Sequence, residues 1–203
     1  PLAEESDLIT GVGSWVLRTA CREFAAWKAS GARIDYVSVN VSARQLRDPE
    51  FVKLVSGCLA ATRMRPGDLH LEITEGVLAD GPLIARALDE LAGLGVHLAL
   101  DDFGTGYSSL GYLRRFPIHS VKIDQSFITE TPANIAACRL VESIIAMATV
   151  LDKHVVAEGV ETEAQLRFLE SAGCGSIQGF LYGRPMEATS IPAHFRQFAT
   201  RRR

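Results

Sequence analysis

Short apolar runs alternate with amphipathic segments along almost the whole chain, and this alternation limits the fold to a few classes. The apolar runs predict six strands, at residues 36–41, 69–73, 96–100, 120–124, 154–157 and 176–181. Apolar residues recur at helical spacing between them and predict helices. Strands that alternate with helices are joined by right-handed crossovers, which gives a mostly parallel sheet with helices outside it. We therefore expect an α/β fold and a single domain over residues 1–203.

Capping residues mark the ends of several of these helices. Asp48 followed by Pro49 is typical of an N-cap with proline at the first helical position, and predicts that a helix begins there. Thr162 and Gln165 have the spacing of a capping box, which predicts the start of another helix.

The strand predicted at 96–100 ends in two adjacent carboxylates, Asp101 and Asp102. Adjacent like charges beside a buried strand are unfavourable without a counter-charge, and a hard divalent ion such as Mg²⁺ takes oxygen ligands. Neighbouring residues of a strand point to opposite faces, so both can reach one site only if the chain turns at Asp102, a turn that Gly104 and Gly106 would supply. Acidic pairs also cap turns, so the pair by itself leaves both interpretations open.

Polar residues stand at or near the carboxyl end of each predicted strand. Singly, each has an ordinary structural explanation, such as satisfying a turn or pairing with a neighbour. In a closed parallel barrel these ends converge on one mouth, whereas an open sheet would spread them along a line. We therefore expect a barrel of eight strands, of which six lie in this chain and two would precede Pro1. The residues concerned are Asn40, Glu72, Asp101, Asp102, Lys122, Glu158 and Gln178.

Composition excludes several classes of protein. The formal net charge is −3 and the pI is about 6.0, so the overall field does not favour general binding to nucleic acid or anionic membrane. The 4 cysteines form no CxxC motif and no disulfide framework, which is typical of the cytoplasm. No apolar run is long enough to span a bilayer.

The polar residues at the ends of the predicted strands also indicate the kind of reaction that the site could catalyse. Oxygen ligands with one ammonium group suit two divalent metals and a phosphoryl substrate, since two metals about 3.5–4 Å apart stabilise the attacking and leaving oxygens of an in-line displacement. Lys122 would then hold the bridging water or hydroxide by its charge.

Six segments together resemble the EAL family, the cyclic di-GMP phosphodiesterases of bacteria. The resemblance spans nearly the whole chain and implies a modified TIM-type (β/α)8 barrel that uses Mg²⁺ or Mn²⁺ to open cyclic di-GMP into linear pGpG. The segments are Val39-Asn40-Val41-Ser42, Leu71-Glu72-Ile73-Thr74-Glu75, the run from Asp101 to Leu110, Val121-Lys122-Ile123-Asp124, Ala157-Glu158-Gly159-Val160-Glu161, and Gln178-Gly179-Phe180-Leu181-Tyr182-Gly183-Arg184-Pro185.

The resemblance implies a role for each matching residue. Lys122 and Gln178 would order the attacking water, and Glu75 would hold the loop after Asp102, which in the family supports a dimer interface. Gln178 and Pro185 would also contact the substrate, Pro185 at a guanine. The implied metal ligands are Asn40, Glu72, Asp101, Asp102 and Glu158. Two metals would share Asp102, and Glu158 would also be catalytic. For Glu161 the resemblance leaves two roles open, that of a metal ligand and that of a residue that orients a metal ligand.

One departure from the family pattern concerns its Glu-Ala-Leu tripeptide, which the family carries on a strand upstream of the matched part. The sequence contains no other candidate for this metal-ligating glutamate. We therefore expect the first two barrel strands to be absent and the 203 residues by themselves to bind metal poorly. Family members often carry a sensory or GGDEF domain upstream, which is expected here too and could anchor the whole protein to a membrane.

Three other functions compete with a phosphodiesterase. A non-catalytic cyclic di-GMP receptor or regulatory scaffold would bind the dinucleotide without turnover. An enolase-like enzyme would need a second lysine or a histidine as base at a strand end, which Lys122 and Asp124 do not provide. A kinase-like metal motif or nucleotide loop at 101–106 lacks the third glycine of GxGxxG and a following Gly-Lys-Ser/Thr.

Overall fold

The computed structural model describes residues 8–79, 81–106 and 110–201. Within these ranges all the strands belong to one sheet, in which their order follows the chain. Every pair whose register is defined is parallel, which confirms the predicted α/β fold. The strands are β1 (Val37–Asn40), β2 (Leu69–Thr74), β3 (His97–Phe103), β4 (Ser120–Ile123), β5 (His154–Ala157) and β6 (Ser176–Ile177).

Helices connect consecutive strands. None of the helices within the described ranges is both long enough and apolar enough to cross a membrane. They are α1 (Leu8–Ala29), α2 (Ala43–Arg47), α3 (Phe51–Thr62), α4 (Glu75–Leu78), α5 (Pro82–Gly93), α6 (Leu110–Arg115), α7 (Gln125–Ile128), α8 (Ile135–Val150), α9 (Glu163–Ser171) and α10 (Ile191–Arg201).

The prediction that Asp48 caps the start of a helix is wrong. Asp48 is the C-cap of the short helix α2, which begins with a capping box between Ser42 and Gln45. The Asp48 carboxylate accepts a hydrogen bond from the backbone N–H of Glu50 at 2.9 Å, and Glu50 precedes the first residue of α3. The capping box at Thr162 and Gln165 is present as predicted.

The chain divides into two compact units. Unit 1 comprises Pro1–Glu72, Pro82–His97 and Pro185–Arg203, and unit 2 comprises Ile73–Gly81 and Leu98–Arg184. The single domain expected from the sequence stays a prediction.

In unit 1, α1 packs against α3 and β1. Its buried face carries Leu17, Cys21 and Phe24, and α3 buries Val55 and Cys58. Burial raises the pKa of the Cys21 thiol to about 11, and the neighbouring Cys58 adds to the rise. Both thiols are free, so they act as small apolar core residues.

In unit 2, β4 lies between β3 and β5, and α8 packs on β4 and β5. The apolar residues Val121, Ile123 and Val155 of the two central strands are buried, as are Ile145 and Ala148 on the facing side of α8. The last strand, β6, has two residues and is shorter than the predicted 176–181. The chain leaves the sheet after it because the following residues bond to the segment after β5, as described below.

A histidine at the entry to β4 makes the stability of unit 2 depend on pH. The His119 Nδ1 atom accepts a hydrogen bond from the backbone N–H of Leu98 at 3.0 Å, which requires this nitrogen to be unprotonated. Partial burial and then the positive charge of Lys153 lower the pKa of His119. The unfolded chain therefore binds a proton more readily than the folded chain, so stability is present above the ordinary pKa of about 6.5 and is lost as pH falls below it.

We expect His119→Asn to weaken this pH dependence, because the asparagine oxygen can accept the Leu98 hydrogen bond but does not titrate. The measurement is urea unfolding of both proteins at pH 7.5 and at pH 5.5. The native chain should lose more stability between the two pH values than the variant. Equal losses would show that His119 does not contribute to acid sensitivity.

Candidate active site at the ends of the central strands

A β-bulge places Asp101 and Asp102 on β3. Leu100 pairs with Val121 and Phe103 with Ile123, so β3 has two residues where β4 has only Lys122. Bulges re-aim side chains and are frequent beside active sites. Two carboxylates therefore lie opposite one ammonium group.

The backbone of Asp102 makes this bulge possible. Asp102 has a φ of 52°, in the left-handed region, which costs a residue with a side chain roughly 1–2 kcal/mol. The Asp101 Oδ1 atom accepts a hydrogen bond from the backbone N–H of Asp102 at 3.1 Å. Contrary to the prediction from the sequence, the strand does not turn into the loop at Asp102 but continues to Phe103, so the bulge and not a glycine turn places both carboxylates in one group.

Glu158 follows β5 directly and completes a group of three carboxylates. Its backbone N–H donates to the carbonyl of Ile123 at 3.1 Å, which holds it beside the end of β4. Gly159 turns the chain next, with a φ of 69° and with no room for a Cβ against Gln125. One carboxylate oxygen from each of Asp101, Asp102 and Glu158 lies within 4.8 Å of the others.

Lys122 neutralises part of this negative charge. Its Nζ atom lies 2.9 Å from Asp101 Oδ1 and 2.7 Å from Glu158 Oε1. The lysine side chain is only 5% exposed, and those of Asp101 and Glu158 are 12% and 15% exposed. Removing one member of a buried ion pair leaves an uncompensated charge, at a cost of about 3–5 kcal/mol.

The donor set fits a hard divalent cation. Carboxylate oxygens are the ligands that Mg²⁺ and Mn²⁺ prefer, and three of them converge here. Asp101, Asp102 and Glu158 are therefore the described residues best placed to hold a metal.

The backbone of Gln178 is hydrogen-bonded to the segment that carries Glu158. Its N–H donates to the carbonyl of Ala157 at 2.8 Å, and its carbonyl accepts from the N–H of Val160 at 3.1 Å. Its side chain is exposed. The next residue is Gly179, where a Cβ would lie 2.1 Å from the carbonyl oxygen of Val160 and 2.3 Å from its nitrogen.

Glu75 begins α4 and contacts the loop after β3. Its Oε2 atom accepts a hydrogen bond from the backbone N–H of Gly106 at 3.1 Å. This is the contact expected of a residue that holds the loop after Asp102. The loop continues into residues 107–109, which lie outside the described residues, and so does that part of the expected dimer surface.

The remaining predicted site residues lie in unit 1 or outside the carboxylate group. Asn40 and Glu72 are opposite each other in the register of β1 and β2, where Glu72 is buried and Asn40 is exposed. Pro185 is exposed. Glu161 is exposed as well, and its backbone N–H donates to Gln165 at the start of α9.

The glycines that bring these segments together were not assigned a role from the sequence. Gly159 and Gly179 follow Glu158 and Gln178 directly, and each leaves no space for a side chain. A glycine immediately after a polar residue at a strand end is the signal that could have identified both. The stacking of the Arg184 guanidinium on the ring of Phe180 was also not predicted. The guanidinium carbon lies 4.4 Å from the ring centroid.

The family model and the similar proteins indicate the same family for this chain. The family model of the EAL domain matches residues 1–185. The bifunctional diguanylate cyclase/cyclic di-GMP phosphodiesterase MucR of Pseudomonas aeruginosa is 43% identical over 196 residues, which cover 95% of this chain and 28% of MucR. The cyclic di-GMP phosphodiesterase PdeR of Escherichia coli is 36% identical over 200 residues, which cover 98% of this chain and 30% of PdeR.

Solved structures confirm the fold. The c-di-GMP complex of the PaMucR phosphodiesterase superposes with a TM-score of 0.86 at 43% identity, over 94% of this chain and 78% of that one. The EAL domain of Mycobacterium smegmatis DcpA gives a TM-score of 0.89 at 38% identity, over 94% of this chain and 86% of that one. The predicted α/β fold of the EAL type is therefore confirmed.

The chain spans less than a third of the length of the curated relatives, 28% of MucR and 30% of PdeR. The family match nevertheless covers most of the chain, from residue 1 to residue 185. The relatives and the solved structures match over more than nine-tenths of it. The chain belongs to the EAL domain family.

Proposed function

We propose that this domain hydrolyses cyclic di-GMP to linear pGpG with two divalent metal ions, Mg²⁺ or Mn²⁺. The observation that carries the proposal is the group of Asp101, Asp102 and Glu158, whose ligand oxygens lie within 4.8 Å of one another beside the ammonium of Lys122. The relatives MucR and PdeR, both named as cyclic di-GMP phosphodiesterases, support the choice of substrate.

In this proposal the metal ligands come from several strand ends. When bound, the divalent ions supply positive charge that stabilises the attacking and leaving oxygens of an in-line displacement at phosphorus. Asp102 would be a ligand of both ions, and its carboxylate oxygen lies within 4.8 Å of those of Asp101 and Glu158. The proposed ligands are Asn40, Glu72, Asp101, Asp102 and Glu158.

The other residues act on water and substrate. Lys122 and Gln178 order a water molecule whose oxygen attacks one phosphorus of the cyclic dinucleotide. The bond from that phosphorus to the 3′ oxygen breaks, and a proton from the water ends on the 3′ oxygen. One water is consumed and the ring opens to pGpG. Gln178 and Pro185 contact the dinucleotide, and Glu75 holds the loop after Asp102 through Gly106.

The proposal extends to the surroundings of the domain. We propose a homodimer through the loop after Asp102 and a sensory or GGDEF domain upstream. The relative MucR, which is named as a bifunctional diguanylate cyclase/cyclic di-GMP phosphodiesterase, supports the upstream domain. The four free cysteines, Cys21, Cys58, Cys138 and Cys174, support action in the reducing cytoplasm.

The test is an assay of cyclic di-GMP hydrolysis with Mg²⁺ or Mn²⁺, with pGpG separated by chromatography. It is run on this chain and on the same chain joined to whatever native sequence precedes it. We expect metal-dependent formation of pGpG, faster in the longer protein. Binding of cyclic di-GMP without turnover in either protein would contradict the proposal and favour a receptor or regulatory scaffold.

A further inference from the structure

The ammonium of Lys122 contacts the same carboxylates that would hold a divalent cation. It lies 2.9 Å from Asp101 and 2.7 Å from Glu158, and both belong to the three residues whose oxygens converge. An ammonium group is a compact point charge that pairs with carboxylates without fixed geometry. It therefore offers these two carboxylates the kind of charge compensation that a metal ion offers.

Burial makes this compensation important for folding. Lys122 is 4% exposed and Asp101 is 8% exposed, so neither charge is well solvated. A buried charge is tolerated only when it is paired or ligates a metal. The bulge on β3 brings Asp102 to the same place, which adds to the negative charge that has to be balanced.

We infer that Lys122 is the built-in counter-ion of this cluster and that it competes with divalent cations for Asp101 and Glu158. The inference rests on the proposed function, because it concerns the same site. A cation that takes these carboxylates displaces the ammonium from them. The displaced ammonium is then available to the attacking water, so one residue balances charge before the cation binds and orders water afterwards.

The competition has two consequences that can be measured without substrate. Removing the charge of Lys122 should strengthen binding of a divalent cation, on the order of tenfold, since a positive charge no longer opposes it. It should also lower the melting temperature in chelator, because the carboxylates lose their counter-ion, and a divalent cation should restore most of that loss.

The experiment compares the native chain with Lys122→Met and with the control Lys53→Met. Lys53 pairs with Glu50 at 2.7 Å on the surface, with side chains 74% and 68% exposed, so it loses a similar ion pair at an exposed position. Mn²⁺ binding is measured by calorimetry at one pH, and melting is measured in EDTA and in saturating Mn²⁺. We expect tighter Mn²⁺ binding and a larger Mn²⁺-dependent rise in melting temperature for Lys122→Met only.

Unchanged or weaker Mn²⁺ binding by a folded Lys122→Met variant would overturn the inference, as would an absence of Mn²⁺ binding in both proteins. If the variant does not fold, the native chain provides the test. The side-chain nitrogen resonance of Lys122 should shift during a Mg²⁺ titration, and an unchanged resonance at saturation would overturn the inference. If these results are obtained but the native protein does not hydrolyse cyclic di-GMP, the proposed function alone is contradicted.

Discussion

Asp102→Asn is expected to lower the rate of cyclic di-GMP hydrolysis by about a hundredfold or more, since it removes the carboxylate proposed to be shared between the two ions. The substitution keeps the size of the side chain. Asparagine also tolerates the left-handed backbone that Asp102 adopts at a φ of 52°. The expected loss therefore comes from ligand chemistry and not from a change of shape.

The matched control for this variant is Asp152→Asn. Asp152 also has a left-handed backbone, with a φ of 55°, but it is not one of the three converging carboxylates. Initial rates of pGpG formation are compared at saturating Mg²⁺ and Mn²⁺, in the longest native form that is active. Asp152→Asn should keep nearly full activity, and both variants should melt close to the native protein. Near-normal turnover by Asp102→Asn would refute the two-metal assignment.

Gly179→Ala is expected to destabilise the protein by about 2–4 kcal/mol and to reduce hydrolysis at least tenfold. A Cβ at this position would lie 2.1 Å from the carbonyl oxygen of Val160 and 2.3 Å from its nitrogen. Both atoms belong to the backbone, so no rotation of a side chain can relieve the overlap. The displaced segment begins two residues after Glu158, which would move the carboxylate away from Lys122.

Gly57→Ala is the control for this variant. Gly57 lies inside α3, where an added Cβ meets nothing within 4 Å, so alanine should stabilise the helix by about 0.5–1 kcal/mol. Urea unfolding gives the free energy of unfolding of each variant, and the hydrolysis assay gives its rate. A Gly179→Ala protein with native stability and activity would show that this close approach is not needed at the site.

Local patterns in the sequence were sufficient to predict most strands and the polar residues that follow them. Of the apolar run at 96–100, for example, residues 97–100 lie in β3, Leu98, Ala99 and Leu100 are buried, and Asp101 and Asp102 follow them in that strand. The capping box of Thr162 and Gln165 was also predictable, because both partners lie within one helical turn. The local pattern was misleading at Asp48. The following Pro49 made Asp48 resemble an N-cap, although Asp48 is the C-cap of α2.

Hydrophobic periodicity and capping act over a few residues, so the α/β class and the placement of chemically matched residues at the ends of strands were predictable from the sequence. The tertiary structure was needed to show that Asp101 and Asp102 together face Lys122, because a bulge depends on the register between two strands. It also decided that Lys122 bridges Asp101 and Glu158, and that Gly179 contacts Val160. These contacts join residues far apart in the chain, where no local pattern specifies the distance between them.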